Sequence, residues 1–194
     1  MTKIGIFGGT FDPIHIGHLV ICIWAKETLD LNSVLFIPTA NPPHKQTAPF
    51  ASIDNRYEMI RLAIKEIPFF KISNIEADTQ YPSYTVNTLR YLRNIYSPQE
   101  TELYLLIGED SFRDLPMWRE PEEIIKLSTV VVFRRNGTTD KNHPLYKNVR
   151  FLDTPVIGIS STLIRQRIRS HLPVTFLVPS NVGRYIKEKG LYQN

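Results

Sequence analysis

Lys3-Ile4-Gly5-Ile6-Phe7-Gly8-Gly9-Thr10-Phe11-Asp12-Pro13-Ile14-His15-Ile16-Gly17-His18 is a short apolar run that two glycines stop, followed by a turn and the start of a helix. Residues 3–7 are predicted to form a strand, and a helix is predicted over about 15–29. Paired glycines let backbone approach a ligand closely. The helix start beyond them offers free N–H groups and a partial positive charge, which together favour a phosphate. His15 and His18 are three apart and share one face of the first turn. Gly17 places no side chain between them and is expected to leave room for a bulky anion. Glycines at 5, 8 and 9 do not make the G-x-G-x-x-G of dinucleotide-binding folds, and no Gly-Lys-Ser/Thr follows as in a P-loop. Hydride-transfer and P-loop chemistry are therefore disfavoured.

Outward from this stretch, short apolar runs alternate with helical patterns. Strands are predicted at 33–37, 69–75, 103–107, 129–133 and 149–152. Helices are predicted over about 83–95 and 124–127, from near Ser160, and over 181–189, where Gly190 stops the last. The clearest helix carries Ile60, Ala63, Ile64 and Ile67 at i, i+3, i+4 and i+7, with Asp54 expected to cap its start and Pro68 to end it. Residues 40–52, rich in proline and polar side chains, are predicted as a loop. Alternating strands and helices imply βαβ units. Right-handed crossovers then give an α/β fold, a Rossmann-like, doubly wound, mostly parallel sheet with helices on both faces. We expect one domain over 1–194, with a helical part from about 160–194 packed on it. In such sheets ligands bind beyond the carboxyl ends of the strands.

Bulk properties bound the function. The 194 residues are 42% hydrophobic, and 23 basic against 19 acidic side chains leave a net charge of +4. So small and evenly spread an excess suits phosphorylated substrates and does not mark a nucleic-acid surface. Cys22 is the single cysteine, so no internal disulfide is expected, which favours a reducing compartment. No apolar run approaches ~18 residues, and no signal-peptide pattern precedes the first strand. These readings lead us to expect a cytoplasmic protein with no membrane and no nucleic-acid partner.

A second phosphate grip lies at Ile159-Ser160-Ser161-Thr162-Leu163-Ile164-Arg165. Hydroxyl residues opening a helix are good N-caps, and Arg165 projects near the same end. Hydroxyls, helix N-terminus and guanidinium together suit two phosphate groups. A plain cap followed by solvated arginines is the alternative.

His15-Ile16-Gly17-His18 resembles the H-x-G-H motif of the superfamily of adenylyl and cytidylyl transferases, and Ser160-Ser161-Thr162-x-x-Arg165 resembles its second motif. The chain also resembles, nearly end to end, one branch, the bacterial nicotinate-nucleotide adenylyltransferases. The segments that carry this are Gly8-Gly9-Thr10-Phe11-Asp12-Pro13, Asn41-Pro42-Pro43-His44-Lys45, Ser83-Tyr84-Thr85, Ile107-Gly108-Glu109-Asp110 and Leu115-Pro116-x-Trp118. The resemblance implies adenylyl transfer from ATP to nicotinate mononucleotide, with release of pyrophosphate. It implies Mg²⁺ carried by the ATP, and a homodimer. It casts His15, His18 and Arg165 as catalytic groups. Gly8, Gly9, Thr10, Phe11, Gly108, Asp110, Ile159, Ser160, Ser161 and Thr162 become the ATP site. Lys45, Tyr84, Thr85 and Trp118 become the acceptor site, with Trp118 stacking on the ring and helix-start N–H groups near Tyr84 and Thr85 taking the carboxylate. For Trp118 the alternative is a core aromatic, for Asp110 a helix cap, and for Lys45 a solvated surface lysine. Where the family shows Arg-Pro-Gly, this chain has Arg134-Arg135-Asn136-Gly137, which leaves Arg135 without an assigned role. The rival readings are another enzyme of the superfamily, such as phosphopantetheine adenylyltransferase, and a non-catalytic nucleotide sensor.

Overall fold

The computed structural model describes residues 1–41, 48–77, 82–134 and 141–193. Six strands, β1 (Thr2–Gly9), β2 (Ser33–Pro38), β3 (Phe70–Ile72), β4 (Thr101–Gly108), β5 (Thr129–Arg134) and β6 (Arg150–Asp153), form one sheet in the order β3-β2-β1-β4-β5-β6. Every pairing is parallel. The helices between them are α1 (Ile16–Thr28), α2 (Ile53–Ile64), α3 (Thr85–Ile95), α4 (Glu109–Asp114) and α5 (Pro121–Leu127), and α6 (Ser161–Arg169) and α7 (Ser180–Glu188) follow the last strand. The doubly wound sheet expected from the alternation is present.

Strand periodicity distributes the core over two layers. Phe7, Val34, Phe36, Tyr104, Leu106, Val131 and Phe133 point to one face, against Leu19 and Cys22 of α1, Met59 and Ile60 of α2, Ile164 of α6 and Val182 and Ile186 of α7. Ile4, Ile6, Leu103, Leu105, Ile107, Val130 and Val132 point to the other, against Val86 and Leu89 of α3, Phe112 of α4 and Ile124 of α5. Helices α6 and α7 thus bury their apolar stripes in the same core as α1 and α2. Cys22 is fully buried there, and burial pushes its thiol well above the usual range.

Some boundaries differ from expectation. Ser52, not Asp54, caps α2, its Oγ accepting from Asn55 N at 3.3 Å. Asp54 falls inside the first turn, where its charge still suits the helix dipole. Strand β3 pairs only through Phe70–Ile72, because its sole neighbour β2 matches it over Val34–Phe36. Helix α4 follows β4 without a loop and was not anticipated, since six residues carry too little periodicity to register.

The strand order reverses direction between β1 and β4, so adjacent connections leave on opposite faces and open a crevice at that switch point. Glycines end both strands there, Gly9 on β1 and Gly108 on β4.

Candidate functional site

Two clefts open above this crevice. One, about 520 Å³, is lined by His15, Gly17, His18, Gly108, Asp110, Ile159, Ser160 and Ser161 among others. The other, about 290 Å³, is lined by Gly8, Gly9, Thr10, Thr39, Glu76, Ser83, Thr85, Gly108 and Trp118 among others. Phe7, Gly108 and Ser111 line both, so the clefts meet at the switch point. We refer to them as the histidine cleft and the tryptophan cleft.

In the histidine cleft, α1 begins immediately after His15 and the two imidazoles stack, centroids 3.6 Å apart and planes at 21°. His15 N donates to His18 Nδ1 at 3.2 Å. With Nδ1 accepting, the proton of a neutral His18 sits on Nε2, as a donor. The rings of Phe7 and Phe11 flank His18 edge-on. Burial, reinforced by neighbouring His15, holds the His18 imidazole well below its usual range, so it is neutral at physiological pH. Gly17 lines the cleft, and it also makes room for its neighbour: a Cβ there would lie 3.0 Å from His15 Nδ1.

Turn 8–13 is locked to α6. Ser161 Oγ donates to Pro13 O at 2.8 Å, and Arg165 Nη1 donates to Asp12 O at 2.7 Å. Arg165 also reaches Thr162 Oγ1 at 3.2 Å and lies over the Phe50 ring, 4.4 Å from its centroid. Ser160 caps α6, its Oγ accepting from Leu163 N at 3.1 Å. The second motif is therefore hydrogen-bonded to the turn just before the first, some 150 residues away in the chain. Ser160, Ser161 and Ile159 line the cleft, whereas Thr162 and Arg165 are not among its lining residues.

Phe11 also departs from its expected role. Its ring is 3% exposed and lies under Gly9, where a Cβ would meet it at 3.1 Å. It supports the turn from below, with its own backbone in the left-handed region at φ 49°, a conformation uncommon outside glycine.

The sequence reading assigned nothing to Asp12 or Arg56, yet they hold the turn in place. Asp12 is buried and its carboxylate accepts from Phe50 N (2.8 Å), Ala51 N (3.1 Å) and Tyr192 Oη (2.8 Å). Arg56, 1% exposed, donates to Thr10 O and Thr39 O, both at 2.8 Å, and to Ala51 O at 3.1 Å. Burial and the adjacent carboxylate push the Tyr192 phenol far above its usual range. Arg56 was detectable: it lies four residues before Ile60 on the apolar stripe of α2, where an unpartnered charge would be costly.

In the tryptophan cleft, Trp118 follows the 3₁₀ turn Leu115–Met117. One side packs on the apolar layer that holds Leu115 and Ile124, and the residue also lines the cleft. Pocket wall and core aromatic are thus both true of it. Helix α3 begins at Thr85, which lines the cleft, while Tyr84 faces an adjoining hollow of about 300 Å³. Asp110 is not a helix cap: Gly108 occupies that position, and Asp110 stands in the first turn of α4, 86% exposed and 3.5 Å from Arg113. Lys45 and Arg135 lie outside the described residues. Ser111, at the junction of the clefts, went unnoticed; its place just after a glycine-terminated strand is the signal that marks it.

This geometry, two anion-suited clefts meeting at the switch point of a parallel sheet, agrees with comparison to known proteins. The chain belongs to the cytidylyltransferase-like family, whose pattern matches residues 6–167. A Clostridium perfringens protein named "Probable nicotinate-nucleotide adenylyltransferase" is 43% identical over 203 residues, covering 100% of this chain and 99% of its own. A Thermus thermophilus protein of the same name is 44% identical over 191 residues, covering 98% and 100%. Within the family, then, the chain falls among the nicotinate-nucleotide adenylyltransferases. The solved Plasmodium falciparum nicotinic acid mononucleotide adenylyltransferase complexed with NaAD shares the fold at TM-score 0.82 and 17% identity, covering 99% of this chain and 98% of its own.

Proposed function

We propose that the protein transfers the adenylyl group of MgATP to nicotinate mononucleotide, forming deamido-NAD and releasing pyrophosphate. The observation that carries this reading is the meeting of two clefts at Phe7, Gly108 and Ser111: a nucleotide in one and a phosphorylated acceptor in the other bring their phosphates together at that junction. The rival sensor reading needs only one cleft.

ATP occupies the histidine cleft, with its leaving phosphates against the start of α6 at Ser160 and Ser161. The acceptor occupies the tryptophan cleft, its ring on Trp118 and its carboxylate towards the N-terminus of α3 at Thr85. That placement favours a carboxylate over an amide, since helix N–H groups attract negative charge. The acceptor phosphate is largely dianionic at neutral pH and needs no general base. One of its oxygens attacks the α-phosphorus in line; the new P–O bond forms as the bond to the bridging α,β-oxygen breaks, and that electron pair leaves with pyrophosphate. His18 donates from Nε2 to a non-bridging α-phosphate oxygen as charge builds there. Arg165 acts from behind, tying α6 to the carbonyl of Asp12 and fixing the two grips at one separation. Mg²⁺ would enter with the ATP, as part of the nucleotide substrate, and would supply charge neutralisation of its phosphates.

Pyrophosphate release from MgATP, assayed in parallel with nicotinate mononucleotide, nicotinamide mononucleotide and phosphopantetheine, tests the reading. We expect the first to exceed the others by ~10²-fold or more in kcat/KM. Preference for either other acceptor overturns the acceptor assignment, and no release with any of them supports the sensor.

A further inference from the structure

The tryptophan cleft must take an acceptor with two anionic groups, yet one wall of it is a carboxylate. Glu76 follows β3 and lines both this cleft and the adjoining hollow under Tyr84 and Tyr91. Thr88 Oγ1, from α3, donates to its Oε1 at 2.5 Å, and the hydroxyl-bearing Thr39 and Ser83 line the same cleft. Ser83 Oγ in turn accepts from Asn41 N at 3.3 Å, and Glu76 O accepts from Ala40 N at 3.3 Å. Glu76 therefore ties its own segment after β3 to the segment after β2 through its carbonyl and to helix α3 through its carboxylate. Burial pushes it above the usual carboxyl range while the three hydroxyls pull it back.

A hydroxyl carries a single proton. With the Thr88 proton committed to Oε1, Glu76 turns the remaining lone pairs of its carboxylate to the cleft, beside Thr39 and Ser83, whose hydroxyls can donate or accept. A phosphate or a ring carboxylate resting against Glu76 would set lone pairs against lone pairs in a half-buried site. A donor satisfies it. The acceptor mononucleotide has neutral donors at its ribose 2′- and 3′-hydroxyls. The remainder of the cleft suits its other parts: Gly8, Gly9 and Thr10, expected at the ATP site but lining this cleft instead, for the phosphate, Trp118 for the ring and Thr85 for the carboxylate. We infer that Glu76, with Thr39 and Ser83, is the ribose-binding wall of the acceptor cleft and makes the enzyme select ribonucleotide over deoxyribonucleotide acceptors. This rests on the acceptor assignment made above.

The test compares kcat/KM for nicotinate mononucleotide and for its 2′,3′-dideoxy analogue, in the unmodified enzyme and in Glu76→Gln. The unmodified enzyme is expected to prefer the ribonucleotide by about 10–100-fold, from the loss of one or two hydrogen bonds to buried acceptors. Glu76→Gln puts a donor into the wall. It is expected to lower kcat/KM for the ribonucleotide about tenfold more than for the dideoxy substrate, chiefly through KM, so that the preference collapses. Equal losses on both substrates would show a merely structural role and overturn the inference, as would an unchanged preference. If Glu76→Gln does not fold, the unmodified enzyme decides alone: equal use of both acceptors overturns the inference. Failure of the acceptor assignment reads differently, as an unmodified enzyme inactive with nicotinate mononucleotide but active with another acceptor.

Discussion

The turn over 8–13, which lies between the clefts and gives Gly8, Gly9 and Thr10 to the tryptophan cleft, is supported by groups wholly or partly buried. Asp12 gathers Phe50, Ala51 and Tyr192, Arg56 ties three carbonyls, and α6 is pinned to the turn by Ser161 and Arg165. The turn bearing Trp118 has one buried anchor, Leu115, and its polar contacts lie outside: Arg90 of α3 pairs with Glu120, and Arg119 lies over the Tyr84 ring, 4.9 Å from its centroid. Those side chains are open to solvent, where an ion pair adds little. The contrast fits the proposed function: donors that stabilise phosphate charge must be held still, and the bonds to Asp12 and Arg56 fix the turn that carries Gly8, Gly9 and Thr10, whereas a ring stacked on Trp118 would tolerate small shifts.

Four substitutions and one titration break or sharpen this comparison. The largest effect is expected from His18→Ala, which should lower kcat by ~10²–10³-fold with little change in KM for the acceptor; a loss under threefold, measured by pyrophosphate release, would remove His18 from the chemistry. Asp12→Ala leaves two amides and a phenol without their acceptor, and chemical denaturation should show a loss on the order of 3–5 kcal/mol. Trp118→Ala should raise KM for nicotinate mononucleotide by about tenfold, equivalent to ~1.4 kcal/mol, and leave the affinity for ATP unchanged in a binding titration. A smaller effect attaches to pH. Because His18 is held below the unfolded value of about 6.5, the unfolded chain binds the extra proton first. This share of stability is complete above about pH 6.5 and declines as pH falls towards the folded value; denaturation from pH 8 to 5 should show it, and His18→Ala should flatten that slope. Last, Glu120→Ala, at the exposed pair, should leave the thermal midpoint unchanged within error. A large drop there would mean that the tryptophan side is as tightly built as its neighbour.

The same contrast explains what the amino-acid order revealed. The order of the strands along the chain, most of the helices and the doubly wound sheet were legible because each rests on local pattern: glycines at strand ends, hydroxyls at a helix start, apolar stripes at 3.6-residue spacing. The histidine pair was readable from its spacing, but the room Gly17 makes for His15 was not, since spacing does not say which way the His15 ring lies. The Asp12 network joins residues up to 180 apart, and no local signal names such partners. Arg56 alone left a trace, a charge on an apolar stripe. Glu76 left none, because its meaning depends on hydroxyls from three other segments. Asp54 lost the cap of α2 to Ser52 because a cap one residue outside the helix reaches the open N–H groups that a first-turn residue does not.

The bond from Tyr192 to Asp12 bears on how the site takes its shape. The turn over 8–13 cannot settle on local contacts alone, because one buried acceptor within it is filled by a phenol 180 residues away in the chain. Its shape is thus set by closure of the whole core, and loosening α7 and the residues after it is felt at the edge of the clefts.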